Sequence, residues 1–452
     1  MTAQNTTTDL REPSDPGAVS GSEVRRAALT AMATSAIEWY DFFIYGTAAA
    51  LVFGTKFFPS VSPVAGVLAA FATFAIGFAA RPLGGIVCGH YGDKFGRKPV
   101  LVATLVLMGV ATMLIGLLPT FSTIGVAAPI MLALLRFAQG LAVGGQWGGA
   151  MLVATEYAPP GRRGLYGSFV QLGVPVGLIL GNLTFLLMTS AVGKDDFEAW
   201  GWRVPFVFSV VMIALAMFVH KRLEETPAYQ RAEERLSDGE RTRRRSPVLE
   251  VLRSQPKQIL FAAGSFLVVN ASFYLLVTGM LDYGSRHLGM SKGTVLTAVL
   301  LGNSAQLVAL PLFAWLSDHV GRRRVYAAGV VALGIWAFPM FRLVDTERVP
   351  LVVLAMVGGG ICLSAAYGPQ AALFAEMFSA EVRFSGASLG YQIAAVLGGG
   401  LAPFLMVLLL ESTHTSMSIS LYMAVMAAVA LLSLWRIRPV RDPAERPPLA
   451  TR

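Results

Sequence analysis

Long apolar runs alternate with short polar segments along the whole chain. A bilayer-spanning helix needs about 20 apolar residues. On that criterion the pattern predicts helices near 28–53, 65–88, 99–118, 125–152, 165–191, 203–220, 258–281, 294–316, 325–343, 350–372, 384–410 and 417–435. One internal connector is long, 221–257, and it is densely charged, with Lys221, Arg222, Glu224, Glu225, Arg241 and Arg243 to Arg245. It divides the chain six helices from six. The expected organisation is a polar tail over 1–27, a six-helix half over 28–220, a charged linker over 221–257, a second six-helix half over 258–436 and a tail over 437–452. The expected fold class is an all-α membrane protein.

Composition sharpens this reading. The chain is 55% hydrophobic and 14% charged, with a mean hydropathy of +0.61. A soluble domain needs more polar surface than that to cover its core, so the surplus apolar surface must face lipid. The polar start of the chain, with Pro13, Pro16 and Gly17, has no apolar core of a cleaved signal peptide, and none is expected. The net charge of +9 does not point to nucleic acid, because the basic residues sit in short loops between apolar runs.

Those loops alternate in charge. Lys94, Arg97 and Lys98 follow the second span, Arg162 and Arg163 the fourth, Arg322 to Arg324 the eighth, Arg383 the tenth, and Arg436, Arg438 and Arg441 the last. The intervening loops are poorer and mixed in sign, such as Lys194 with Asp195 and Asp196. Excess Lys and Arg marks cytoplasmic loops. Both termini and the linker are therefore expected in the cytoplasm, and the protein in the cell membrane.

The two halves also repeat. Residues 89–98 (GHYGDKFGRK) align with 314–323 (AWLSDHVGRR), which pairs Asp93 with Asp318 and Arg97 with Arg322. Glu156 with Arg163 aligns with Glu376 and Arg383 at nearly the same offset. Parallel repeats of six-helix halves are a transporter arrangement.

Several motifs now make a family resemblance specific. Residues 89–98 resemble the loop signature of the major facilitator superfamily, and 136–140 (RFAQG) its fourth-helix motif. Residues 38–46 (EWYDFFIYG), 81–85 (RPLGG) and 223–227 (LEETP) resemble the metabolite:proton symporters, whose carriers take proline or betaine, citrate, 2-oxoglutarate and shikimate. The stretch 46–53 (GTAAALVF) leans toward the shikimate-like branch. After Gly144 and Gly145 the subgroup often has an acid, and here the residue is Gln146. The resemblance spans about residues 25 to 437. It implies a major facilitator fold and proton-driven import of a small organic acid or zwitterion.

The residues give this reading physical content. Gly92 and Gly96 permit a tight turn, and Asp93 can cap the next helix. Arg97 is a forked donor able to hold Asp93 and Glu156, and Arg322 can do the same for Asp318 and Glu376. Such pairs form a candidate cytoplasmic gate; the bland reading is that the basic residues only set topology. Within the spans, Glu38, Asp41, Arg81 and Arg136 are charges that cost at least ~2.5 kcal/mol each to place at a bilayer centre. Asp41 and Glu38 are the candidate proton-coupling acids. Asp41 is preferred because it lies deeper, and burial penalises the charged form of a carboxyl. Arg136 is the candidate carboxylate clamp. Arg81 joins it unless it snorkels to the nearby helix end. Tyr45 shares a helix face with the two acids, and Gln139 shares one with Arg136. The four charges can alternatively form fixed ion pairs that only hold helices together.

The middles of spans seven to twelve hold no charge, but they carry Asn270, Tyr274, Asn303, Gln306, Tyr367, Gln370, Tyr391 and Gln392. Gln171, with Asn182 on the same face of span five, extends this set. Together they form a candidate hydrogen-bonding wall; singly, each can be interhelical glue. Gly140 and Gly144 read as close-packing positions. Pro175 and Pro403, with Gly173 and Gly398 to Gly400, mark expected bends. Cys88 and Cys362 make no disulfide framework, and the five histidines show no metal-ligand spacing. A phosphate-binding loop and a nucleophile–base constellation are both absent, so an enzyme is not expected, nor a cofactor or metal. The expected partners are a small solute, protons and lipid, with a monomer as the working unit. A uniporter or exporter, or a solute sensor that does not transport, are the alternatives.

Overall fold

The computed structural model describes residues 21–95, 97–144, 158–159, 161–222, 253, 255–378 and 383–437. Residues 1–20, residues 438–452 and most of the 221–257 linker lie outside them. Twelve long helices carry the described chain: α1 (Gly21–Ala48), α2 (Pro63–Phe95), α3 (Arg97–Leu117), α4 (Ala127–Gly144), α5 (Arg163–Ala191), α6 (Val204–Arg222), α7 (Pro256–Tyr274), α8 (Lys292–Val320), α9 (Arg322–Val344), α10 (Val349–Met377), α11 (Arg383–Ala394) and α12 (Met417–Arg436). Among the described residues nine helices are individually long and apolar enough to cross a membrane. Shorter apolar helices cover Val102–Leu117 and Gly201–Val211. Large apolar side chains such as Val308, Ile335, Leu432 and Trp435 stand exposed on the outside. A helix can offer such a surface to lipid because its backbone groups are satisfied internally.

The helices pack through small residues. A Cβ on Gly140 would run into the Gly77 carbonyl, and one on Gly144 into the Arg81 carbonyl. The backbones of α2 and α4 therefore meet directly, in the way lipid-embedded helices associate. The second half repeats the device: a Cβ on Gly360 would meet the Gly302 carbonyl, bringing α8 against α10. Gly77 and Gly302 stand at the same offset as Asp93 and Asp318.

Where a helix must yield, it does so by π-helical stretches. These continue α1 over Ala49–Phe53, α7 over Leu275–Gly279 and again over Tyr283–His287, and α11 over Ala395–Gly400. Those in α1 and α7 fall at matching places in the two halves. The expected bends divide accordingly. Gly398 to Gly400 lie in the α11 bulge, with Pro403 opening the next segment, Ala402–Thr413. Pro175, by contrast, sits inside an unbroken α5. π-bulges concentrate at functional sites.

Candidate functional site

The two halves meet at the centre of the molecule through aromatic rings. Phe42 and Phe43 of α1, Phe74 and Phe78 of α2 and Tyr274 of α7 form one cluster, with Phe78 and Tyr274 edge-to-face at 5.0 Å. Phe43 extends the contact to Phe273 at 5.3 Å. On the α2 side, Gly399 and Gly400 of the α11 bulge rest on Phe78.

Two arginines are set into this cluster, both fully buried. The Arg81 guanidinium carbon lies 4.3 Å from the Phe42 ring centre, 4.4 Å from Phe78 and 5.4 Å from Trp39. The Arg136 carbon lies 4.0 Å from Phe42, 4.3 Å from Tyr45 and 4.7 Å from Phe74. Cation–π contacts of this kind are worth about 2 kcal/mol when desolvated. They offset part of the cost of burying each charge. Arg81 therefore turns inward and does not snorkel: the rings one turn away on α2 and across on α1 hold it.

Hydrogen bonds then aim the two groups. Arg136 Nη1 donates to Gln139 Oε1 at 3.0 Å, and Gln139 Nε2 donates to Thr112 Oγ1 at 2.8 Å. Gln139 is thus the brace that orients Arg136. Gly77 leaves the guanidinium room, since a Cβ there would stand 2.5 Å from Arg136 Nε. Tyr45 supplies its ring, while its hydroxyl is committed to Thr73 Oγ1 at 2.7 Å. Arg81 has the hydroxyls of Tyr274 and Tyr391, both from the second half, within hydrogen-bonding reach. Even so, Nε and Nη2 of both arginines have no partner among the described residues. Buried polar groups are normally paired, so these leftover donors make Arg81 and Arg136 candidate ligand-binding groups.

The acids do not supply those partners. Asp41 is buried with Oδ1 lacking a partner among the described residues, and Glu38, nearer the helix start, is half-buried. Among the described residues no ion pair joins either acid to either arginine. The fixed-ion-pair alternative therefore finds no support in this arrangement.

The hydrogen-bonding wall is only partly a wall. Asn303 is spent locally, donating to Val299 and accepting from Gln306 at 2.9 Å. Asn182 accepts from Thr47 at 2.8 Å and ties α5 to α1. Tyr367 is buried near Tyr274 and Tyr391. Gln171, Asn270, Gln306, Gln370 and Gln392 are all buried and all keep at least one amide atom without a partner among the described residues.

At the Arg322 end of the molecule, the second-half gate residues meet. Arg322 pairs with Glu376 and lies 3.5 Å from Asp318. Asp318, at the repeat position of Asp93, does not cap the helix that follows it. Asp318 instead accepts from the backbone N–H groups of Gly164 at 2.9 Å and Leu165 at 3.0 Å. It thereby caps α5 of the opposite half, and Gly164 lets α8 come close enough. The tie between halves is this cap; the Arg322 pairs lie within the second half and hold Asp318 in place. The side chains of Asp93 and Arg97, and all of Glu156 and Gln146, lie outside the described residues. Asp318→Ala is expected to lower uptake at least about tenfold at equal membrane abundance, since charge-assisted bonds to a helix end are worth about 1.5–3 kcal/mol each. Measured rates equal to wild type would show that the cap has no part in transport.

The opposite end of α8 holds a contact that sequence reading missed. Lys292 Nζ donates to the Leu51 carbonyl at 3.0 Å and meets Glu198 at 3.2 Å, again crossing the halves. The lysine sits in a loop-edge position that gives no sequence signal. The ring pair Phe42 and Phe78 was also missed as a site, because phenylalanine in an apolar run reads as packing.

Comparison with known proteins agrees with this architecture. Residues 27–258 match the Sugar (and other) transporter family, and residues 283–452 the Major Facilitator Superfamily. The chain is 42% identical to the shikimate transporter of Escherichia coli over 86% of its length and 89% of that protein. It is 34% identical to the proline/betaine transporter of Salmonella typhimurium over 91% of its length and 83% of that protein. The xylose transporter XylE of E. coli, solved in a partially occluded inward-open conformation, superposes with a TM-score of 0.69 at 16% identity, covering 92% of this chain and 97% of XylE. That likeness shows the fold. The chain belongs to the major facilitator superfamily, in its metabolite:proton symporter branch, and is a multi-pass membrane transporter.

Proposed function

We propose that this carrier imports a small organic carboxylate together with a proton, by alternating access. The observation that carries the reading is the pair of buried guanidiniums, each keeping Nε and Nη2 without a partner among the described residues. A guanidinium edge of this kind fits the two oxygens of a carboxylate. Asp41 is the proton carrier in this reading and Glu38 its partner nearer the helix start. Protonation of Asp41 leaves the first half net positive, so proton and anion each make the other's burial less costly. The named relatives support the class: one takes shikimate, others proline and betaine. The cross-half contacts at the two ends of α8 are the elements that would break in turn. Asp318 stands on the cytoplasmic side in this reading, as do both termini, and the monomer is the working unit.

The test is timed uptake in proteoliposomes of the full chain under an imposed inward proton gradient. Accumulation of a labelled carboxylate should collapse with a protonophore and be indifferent to sodium. Accumulation that persists with the protonophore would favour a proton-independent carrier, and binding without any uptake a sensor.

A further inference from the structure

The two buried arginines are held by different parts of the molecule. For Arg136 the hydrogen bond to Gln139, the Thr112 hydroxyl behind that amide and the rings of Phe42, Tyr45 and Phe74 all belong to the first half. Arg81 takes its rings, Trp39, Phe42 and Phe78, from the first half as well. The hydroxyls within its reach, Tyr274 and Tyr391, both come from the second half. Arg136 is therefore set by its own half, and Arg81 is completed only where the halves meet.

One stretch of α11 makes much of that meeting. Tyr391 is preset by its own half, since its ring stacks on Phe266 of α7 at 5.0 Å. The next residue, Gln392, donates Nε2 to the Gly144 carbonyl of α4 at 3.1 Å. Gly144 packs on the Arg81 backbone, where a Cβ would stand 2.0 Å from the Arg81 carbonyl oxygen. Two turns further along, the π-helical stretch lays bare backbone over the ring that stacks on Arg81: a Cβ on Gly400 would stand 2.9 Å from the Phe78 Cβ. The stretch also lies on the way to one end of the molecule. α11 begins at Arg383, shortly after Glu376, the partner of Arg322, so Tyr391 stands about 12 Å in from that end.

Closing α11 over Arg81 strips water from a cation. That step is costly for a bare guanidinium and far less so for one paired with an anion. Closure and anion binding then favour each other by the same factor. Arg136, set within its own half, gains no such dependence. Resting on the carboxylate reading of the two arginines, we propose a division between them: Arg136 anchors the anion, and Arg81, completed by Tyr391 and Gln392 of α11, makes closure of the path toward the Arg322 end depend on the anion being there. Tyr391 and Gln392 are positioning residues in this scheme, since they act on the anion through Arg81.

The experiment reads closure directly, by alkylation of a single cysteine. Ser388 lies one turn before Gln392 on the same face of α11, toward the Arg322 end, with its hydroxyl oxygen buried. The reporter is the full chain in nanodiscs carrying Ser388→Cys, with Cys88→Ser and Cys362→Ser removing the native thiols, and the reagent is a charged maleimide. Tyr391→Phe and Gln392→Met should each speed ligand-free alkylation about fivefold or more, the worth of one lost hydrogen bond in an open–closed equilibrium. Shikimate, succinate and benzoate are the probes of the filled state. A probe that binds should both raise the melting temperature of the reporter and slow its alkylation. In Arg81→Met it should still raise the melting temperature but no longer slow alkylation; in Arg136→Gln it should do neither. Unchanged ligand-free rates in both α11 variants, with melting temperatures kept, would overturn the closing role of α11. Slowed alkylation in Arg81→Met, or loss of the melting shift there, would overturn the division between the arginines. If no probe moves either reading in the reporter, the carboxylate reading falls and the coupling with it, while the ligand-free rates still decide whether α11 closes the path.

Discussion

Arg136→Gln is expected to abolish measurable uptake of the carboxylate while the protein still inserts and melts near the wild-type temperature. The guanidinium sits among Phe42, Tyr45 and Phe74 with its brace, Gln139, already in place. Removing it takes away both the charge and the forked donor. Truncating one partner of a buried charge pair costs about 3–5 kcal/mol, which is about 100- to 4,000-fold in affinity. Arg136→Lys should recover little, because a compact ammonium cannot reproduce the fork or stack on three rings in the same way. Stability is not expected to suffer: the arginine makes no ion pair with a described residue, so its loss orphans no carboxylate. The measurement is the concentration dependence of counterflow at equal reconstituted amounts. An unchanged affinity in Arg136→Gln would remove this residue from the substrate site.

Asp41→Asn should separate transport from its driving force. The side chain is buried in α1, one turn from Tyr45, with Oδ1 lacking a protein partner. Asparagine keeps the shape and cannot carry a proton. The variant should lose gradient-driven accumulation, a fall of about tenfold or more to equilibrium levels. It should retain substrate counterflow, since exchange of one solute molecule for another needs no net proton movement. Full accumulation by Asp41→Asn would take this residue out of the coupling step and leave Glu38 as the remaining acid in α1. Loss of counterflow as well would place Asp41 in substrate binding or folding, which a melting curve distinguishes. The two predictions are independent: the first reads affinity for the anion, the second reads only the link between its movement and the proton's.

The residues that make up the centre were differently visible in the chain. Glu38, Asp41, Arg81 and Arg136 stood out at once, because a charge inside an apolar run is costly and has few uses. Their surroundings did not. Whether Arg81 snorkels or stacks depends on Trp39 and Phe42 of another helix, and those rings are ordinary apolar residues in the sequence. Asn182 and Gln171 lie on one face of α5 and look alike in sequence. Asn182 is tied to Thr47 of α1, while both amide atoms of Gln171 lack a partner among the described residues, a difference made by the neighbouring helices. Asp318 was recognisable as a gate residue, but its partner lies in the opposite half, more than 150 positions away in the chain.

By itself, then, the sequence determined the all-helical membrane fold, the repeat of Asp93 at Asp318, and the placing of Glu38, Asp41, Arg81 and Arg136 within spans of the first half, while the buried Asp282 of the second half went unnoticed. Those follow from length, hydropathy and local spacing, which a single helix already expresses. The tertiary structure decided which buried groups find a partner among the described residues and which do not. That is a property of pairs of helices: the glycine contacts between α2 and α4 set how near Arg81 and Arg136 lie, and the meeting of the two halves sets which amide atoms find a partner.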